Sequence, residues 1–141
     1  MNIGPSSRIR AVVSTLIALL GLLSGCDDTE PAGPIALALN SPVDGDTVCG
    51  TPLRVETTID NFTLTNESME DAPGDVGHLH VYLNGQEVAQ ADRETVEVSE
   101  VVDGAYQLRV DLALSNHNAL DPYVGETIYI TVDNSLCDAA R

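Results

Sequence analysis

The chain has 141 residues, a formal net charge of −16, no tryptophan and only 4% aromatic residues. Four arginines and 22 acidic residues lie from Cys26 onward, so this part carries a net charge of −18 and no lysine. Such a charge repels phosphate backbones and anionic lipid head groups, which excludes nucleic-acid binding and a polybasic membrane patch as main functions. Because 43% of the residues are hydrophobic and recur in alternating runs, we expect one folded domain.

Residues 1–25 have the organisation of a signal peptide. A polar start with Arg8 and Arg10 precedes an uncharged, largely apolar run of thirteen residues at positions 11–23. This run is too short for a permanent membrane span and has the length of a signal-peptide core. We therefore expect an exported protein.

The four residues LSGC at positions 23–26 resemble the lipobox of bacterial lipoproteins. The resemblance implies cleavage after Gly25, attachment of a diacylglyceryl group to Cys26 and acylation of the new amino terminus, typically with palmitate. Two or three lipid chains anchor a protein firmly, whereas one chain binds only marginally. We expect a protein anchored in the inner or outer membrane of the bacterial cell envelope, with residues 26–34 as a lipidated, flexible tether. The alternative is an ordinary signal peptide that happens to precede a cysteine.

Lipidation of the first cysteine leaves one pair, Cys49 and Cys137. An exported domain folds in an oxidising compartment, where two remaining thiols usually pair. The sequence therefore predicts a disulfide that closes a loop across nearly the whole domain. The alternative is two free buried thiols.

Residues 35–141 show a hydrophobic period of two and no sustained helical period, which is typical of β-strands with one buried face. The alternation and the turn signals between the runs predict strands at 35–40, 46–49, 53–59, 78–84, 86–91, 95–101, 105–115 and 127–133. A phase break at Glu100-Val101 indicates a chain that changes sheets before the corner at Asp103-Gly104. About seven short strands of this kind form two stacked antiparallel sheets.

Two segments carry a resemblance to a known family. The sequence SPVDGDTVCGTPLRVETTI at 41–59 resembles the opening of bacterial immunoglobulin-like domains, and GETIYITVDN at 125–134 resembles their last strand. The resemblance covers most of residues 35–135 and implies an all-β, immunoglobulin-like antiparallel sandwich. It also implies that the strands before Cys49 and Cys137 lie side by side. It specifies the fold rather than the function, because such domains serve as spacers, adhesive modules and binding modules.

The chain has three histidines, and the expected fold brings them together. His78 and His80 are two residues apart on a predicted strand, so both point to the face opposite the apolar residues. His117 continues the outward-facing positions of the strand predicted at 105–115. Because these two strands are antiparallel neighbours in such a sandwich, we expect the three imidazoles to converge on the outer face of one sheet. The cluster should lie at the end of the sandwich opposite the disulfide.

The Asn-Gly pair at 84–85 predicts a two-residue hairpin of type I′. That loop length places His80 opposite Ala89 and His78 opposite Ala91. The small alanine side chains would leave room around the imidazoles.

Neutral imidazole suits Zn²⁺ and Cu²⁺, so the three histidines are candidate ligands for either metal. Asp121, Asp75 or water would supply a fourth ligand, and Met69 would serve a Cu(I) state because a thioether is soft. The alternative is that the histidines are ordinary polar residues on a solvated sheet face and in a loop.

The acidic segment TNESMEDAPGDVG at 65–77 has two interpretations. Its carboxylates would suit Ca²⁺, but the spacing D-x-D-x-D-G of a calcium loop is absent, which favours a mobile, solvated loop. The sequence also contains no nucleophile elbow, P-loop or dinucleotide fingerprint, so we do not expect an enzyme.

Three functions remain open at this point. The first is a module that binds a transition metal, and the second is a structural or protein-interaction module of the envelope without a small ligand. The third is sugar binding by Tyr82 and Tyr129, which are expected on the outer face beside the histidines.

Overall fold

The structure is a computed structural model that describes residues 33–140. The predicted signal peptide at 1–25, the lipidation site Cys26 and the tether up to residue 32 lie outside the described residues. In residues 33–140, no helix is long and apolar enough to cross a membrane.

Nine strands and one short 3₁₀ helix make up the described chain. They are β1 (Ala36–Ser41), β2 (Thr47–Val48), β3 (Leu53–Asp60), β4 (Thr63–Leu64), β5 (Val76–Leu83), β6 (Gln86–Ala91), β7 (Thr95–Val98), β8 (Gly104–Leu114), β9 (Gly125–Val132) and η1 (Asn134–Ala140). Eight of the nine strands match the strands predicted from the alternation, while β4 and η1 were not predicted.

The strands form two sheets. Sheet A has the order β1-β3-β7, and sheet B has the order β2-β9-β8-β5-β4, with β6 also paired to β5. All neighbours are antiparallel except β2 with β9 and β4 with β5. This order is that of an immunoglobulin-like β-sandwich, which confirms the predicted fold class.

The core lies between the sheets and is built from the alternating apolar positions. Every second residue of the central strands points inward because side chains alternate across a strand. The fully buried members with the least exposure are Leu53, Val55, Leu79, Val81, Leu108, Val110, Leu112 and Val132. The predicted phase of each of these strands is therefore confirmed.

The predicted disulfide joins Cys49 and Cys137, whose Cα atoms are 5.0 Å apart. The two cysteines meet because β2 runs parallel to β9, with Val48 opposite Val132.

The chain crosses between the sheets at the predicted phase break. Glu100 has a φ of 57°, and the amide of Val101 donates to the carbonyl of Gly50 at 2.9 Å.

A β-bulge in β6 changes the register of the hairpin. Tyr82 is opposite Glu87, but Val81 is opposite Ala89, so Val88 is an extra residue in β6. The predicted pairs of His80 with Ala89 and of His78 with Ala91 are therefore wrong by one residue. Beyond the bulge, Gln90 stands opposite His80.

Candidate metal centre

Strand β5 is buried on both of its faces at the end that carries the histidines. Leu79 and Val81 point into the core with no exposure, while His78 and His80 on the outer face are 0% and 6% exposed. The predicted direction of the two imidazoles is confirmed. The alternative, in which these histidines lie on a solvated sheet face, is wrong for both.

The acidic segment 65–77 is held against this end of sheet B by backbone hydrogen bonds. The amide of Thr65 donates to the carbonyl of Gly77 at 2.8 Å, and the amide of Met69 donates to the carbonyl of Ser115 at 3.3 Å. The carbonyl of Thr65 also contacts Nδ1 of His78 at 2.5 Å. Most residues of the segment are exposed, as expected of a solvated loop. The expectation that it has no anchors is wrong, and the reason is the unpredicted pairing of β4 with the start of β5.

His117 reaches the cluster from a turn rather than from strand β8. The strand ends at Leu114, whose amide donates to the carbonyl of Asn118 at 2.9 Å, and the amide of His117 donates to the carbonyl of Leu114 at 2.7 Å. His117 has a φ of 63°, in the left-handed region that costs a residue with a side chain roughly 1–2 kcal/mol. The predicted location of His117 is correct, but the turn, not a continued strand, places it there.

The three imidazole rings lie within 6.2 Å of one another. The ring centroids are 5.0 Å apart for His78 and His117, 6.0 Å for His80 and His117, and 6.2 Å for His78 and His80. His78 pairs with Ala113 near the end of β8, whereas the start of β8 pairs with Val132 beside the disulfide. The cluster therefore lies at the end of the sandwich opposite the disulfide, as predicted.

The two ring nitrogens of each buried histidine differ in their surroundings. Nδ1 of His78 contacts the carbonyl of Thr65, and Nδ1 of His80 lies 3.1 Å from the hydroxyl of Tyr82 and 3.4 Å from a carboxylate oxygen of Glu87. The Nε2 atoms of both rings are buried without a hydrogen-bond partner. An N–H at each Nδ1 would leave each Nε2 with a free lone pair.

The electrostatic environment favours neutral imidazole at His80. Burial lowers the pKa of His80, although the carboxylates of Glu87 and Asp111 act in the opposite direction, and His78 and His117 lower it further. The 3.4 Å contact between His80 and Glu87 is therefore a polar contact with a neutral ring more than an ion pair at neutral pH. Neutral imidazole is the form that binds a metal ion.

A cavity of about 330 Å³ opens beside the cluster. It is lined by His80, Tyr82, Glu87, Asp111, Leu112, Ala113, His117, Ala119 and Tyr123. Asp111 and Tyr123 were not among the predicted site residues. The signal for Asp111 was present, since it occupies an outward position of β8 near the strand end that meets His80.

No protein-family model and no curated protein matches the sequence. Among solved structures, the fibronectin(III)-like modules of Clostridium thermocellum CbhA are 17% identical with a TM-score of 0.48, over 70% of this chain and 96% of that chain. An engineered protein is 14% identical with a TM-score of 0.47, over 72% of this chain and 21% of that chain. The PKD domain of human KIAA0319 is 12% identical with a TM-score of 0.37, over 74% of this chain and 88% of that chain.

The fold itself is of a kind that serves structural and binding roles. Immunoglobulin-like sandwiches occur in many cell-surface proteins, and their function resides in the sites they carry rather than in the sandwich. The histidine cluster is therefore the feature of this domain on which a specific function would depend.

The other predicted ligands do not line the cavity beside the histidines. Asp121 and Asp75 are exposed, and the cavity beside the histidines is lined by other residues. Met69 is half-buried, and its backbone bonds to Ser115. Within residues 33–137, no three His, Cys, Asp or Glu side chains are placed closely enough to hold an ion together as they stand.

Tyr129 is 62% exposed and lies opposite Gln107 of β8. Gln107 is four residues from Asp111, on the side toward the disulfide and away from the histidines. Its hydroxyl accepts a hydrogen bond from Nε2 of Gln107 at 3.1 Å. Tyr82 instead stacks under the guanidinium of Arg109 at 4.0 Å. The expectation that both tyrosines lie beside the histidines is wrong for Tyr129, so the two rings do not form one sugar-binding platform.

Proposed function

We propose that this chain is a lipid-anchored module of the bacterial cell envelope that binds Zn²⁺ or Cu²⁺ through His78, His80 and His117. The observation that carries the proposal is the pair of buried Nε2 atoms, on His78 and His80, that have no partner. A buried polar atom without a partner costs about 1–3 kcal/mol. A metal ion bound to both lone pairs would remove this cost.

The partners of the Nδ1 atoms support the same proposal. Histidines that bind metal ions usually donate their other ring N–H to a backbone carbonyl or a carboxylate, which fixes the tautomer and orients the ring. His78 has a carbonyl at Nδ1 and His80 has a carboxylate and a hydroxyl there. Both histidines thus have the surroundings expected of metal ligands.

The rings must turn before they can share one ion. His78 is stacked nearly parallel to His80, at 15°, and to His117, at 30°, whereas Zn²⁺ needs its nitrogens within about 2.1 Å of a common point. His117 lies on an exposed turn, so it is the ring with the most freedom to move. We therefore propose that His117 closes onto an ion held by the two buried histidines.

The competing proposal is a structural or protein-interaction module with no small ligand, which would contact another protein of the envelope. No three His, Cys, Asp or Glu side chains of the described residues 33–137 lie close enough to hold an ion as they stand, which favours this competing proposal. The two proposals differ in whether Zn²⁺ or Cu²⁺ stabilises the folded chain.

We expect saturating Zn²⁺ or Cu²⁺ to raise the melting temperature of the full chain, purified without a polyhistidine tag, by about 10 °C. An ion at 100 times its dissociation constant adds about 2.7 kcal/mol to a folded state that alone binds it, and each kcal/mol shifts a domain of this size by about 4 °C. Calorimetric melting and elemental analysis check this.

His117→Ala should abolish most of this shift, and because His117 is exposed the variant should fold without metal. Gln90→Ala, which changes an exposed residue opposite His80, should keep the full shift. A wild-type chain that binds neither ion would leave the interaction module as the better proposal.

The lipid anchor is tested at Cys26. The substitution Cys26→Ser should abolish incorporation of labelled palmitate in a bacterial host, because a serine hydroxyl does not replace the thioether of the lipobox product. The matched control is the double substitution Cys49→Ser and Cys137→Ser, which should retain the label. Continued labelling of Cys26→Ser would remove the anchor from the proposal.

The length of the tether supports a proposal about the distance between the site and the membrane. The carbonyl of Pro34 accepts a hydrogen bond from Asn61 at 3.0 Å, and β1 starts opposite the end of β3, at the same end of the sandwich as the histidines. The eight residues 27–34 span at most roughly 28 Å. We propose that the anchor keeps the histidine cluster near the membrane surface.

A further inference from the structure

Asp111 is a buried acid whose partners contact only one of its two carboxylate oxygens. It is 8% exposed, and burial raises the pKa of its carboxyl. The hydroxyl of Tyr123 donates to Oδ2 at 3.4 Å, which is long for a hydrogen bond of this type, and Nε of Arg109 forms an ion pair with the same oxygen at 3.3 Å. Buried charges are normally paired and hydrogen-bonded, and these contacts leave Oδ1 for a further partner.

The fold sets Asp111 directly beside the histidine cluster. Asp111 is opposite His80 in the antiparallel pair of β5 and β8, and both side chains are on the outer face of sheet B. Such opposite residues have Cβ atoms about 4.5–5.5 Å apart. Asp111, His80 and His117 line the same cavity.

The neighbouring strand leaves space for the acid. Gly125 of β9 is opposite Asp111 on its other side, and a Cβ at Gly125 would lie 2.7 Å from Cβ of Asp111 and would overlap the hydroxyl of Tyr123. Only a glycine at this position leaves the Asp111 and Tyr123 side chains where they are.

We propose that Asp111 is the carboxylate ligand of the metal centre, in the position for which the sequence offered Asp121, Asp75 or water. The inference rests on the proposed function, since it adds a ligand to the three-histidine site. Three imidazoles and one carboxylate suit Zn²⁺ and Cu²⁺, whereas Cu(I) prefers thiolate and thioether ligands. The site therefore selects divalent ions.

The test is Asp111→Asn in the full chain, with Zn²⁺ and Cu²⁺ as the probes. We expect both ions to bind at least about tenfold more weakly, the smallest loss typical even for residues that only support a metal-binding histidine. The Cu²⁺ electron paramagnetic resonance spectrum should change as an oxygen ligand is lost. Asp121→Asn, which neutralises an exposed acid nearby in the chain, should match the wild type in both measurements.

The outcomes separate this inference from the proposed function. If Asp111→Asn binds both ions as the wild type does while His117→Ala does not, Asp111 is not a ligand and the histidine site stands. If the wild type binds neither ion, both proposals fail. Should Asp111→Asn not fold, the infrared difference spectrum of the wild type decides: a carboxylate band that moves on addition of Zn²⁺ supports the inference, and an unchanged spectrum overturns it.

Discussion

Replacing Cys49 and Cys137 together by alanine is expected to lower the melting temperature of the domain by about 20 °C. The disulfide links residues 88 positions apart, so it restricts almost the whole unfolded domain. In the chain-entropy treatment, closing a loop of this length stabilises the fold by about 4.6 kcal/mol. Each kcal/mol of unfolding free energy shifts the melting temperature of a domain of this size by about 4 °C. Calorimetric or circular-dichroism melting measures the change.

The control for this experiment is Cys26→Ala, which changes the cysteine that precedes the described domain and should leave the melting temperature of residues 33–140 unchanged. Reduction of the wild type with dithiothreitol should lower the melting temperature as far as the double substitution does. Denatured, unreduced wild type should show no free thiol from the pair. Two titratable thiols, or a double variant that melts with the wild type, would contradict the expected role of the bridge.

The substitution Gly77→Ala is expected to destabilise the domain by about 3 kcal/mol, at the upper end of the usual cost of overfilling a packed site. Gly77 is buried next to His78, opposite Leu114 of β8. A Cβ at this position would overlap the backbone oxygen of Ala113 and lie 2.8 Å from the Cα of Leu114. Because these atoms belong to the backbone, β5 and β8 would have to move apart at the end that carries the histidines.

Gly74→Ala is the matched control, because a Cβ at Gly74 would meet nothing within 4 Å. The free energy of unfolding of Gly74→Ala, measured in urea, should stay within about 0.5 kcal/mol of the wild-type value, as for most surface substitutions. Gly77→Ala should lower the urea midpoint strongly and reduce the Zn²⁺-dependent shift as well. A Gly77→Ala variant as stable as the wild type would show that β5 and β8 are not so closely packed here.

The sequence predicted the strands well because their two-residue period has one physical cause, the burial of every second side chain between two sheets. The directions of His78 and His80 followed from the same period. The pairing of Cys49 with Cys137 followed from the number of cysteines and from the parallel strands that precede them. These predictions depend on local alternation, on the number of cysteines and on the expected order of strands.

The burial of the site could not be predicted in the same way. His78 and His80 occupy outward positions, and an outward polar residue is usually solvated. The carbonyl of Thr65, at the start of the acidic segment, contacts the ring of His78, while Tyr82 and Glu87 contact the ring of His80. None of these contacts follows a periodic pattern. The bulge at Val88 and the left-handed turn at His117 are likewise single-residue departures from regular geometry that alternation does not encode.

The bulge at Val88 has a consequence for how copies of this protein behave when crowded together. Strand β6 lies beside β5 at the margin of sheet B, where free backbone groups offer a template for a strand from another molecule. The extra residue at Val88 interrupts the regular spacing of those groups, and Glu87 places a negative charge beside it. Copies of the domain at high concentration would therefore resist strand-to-strand pairing along this margin, because of the same bulge that shifts the hairpin register.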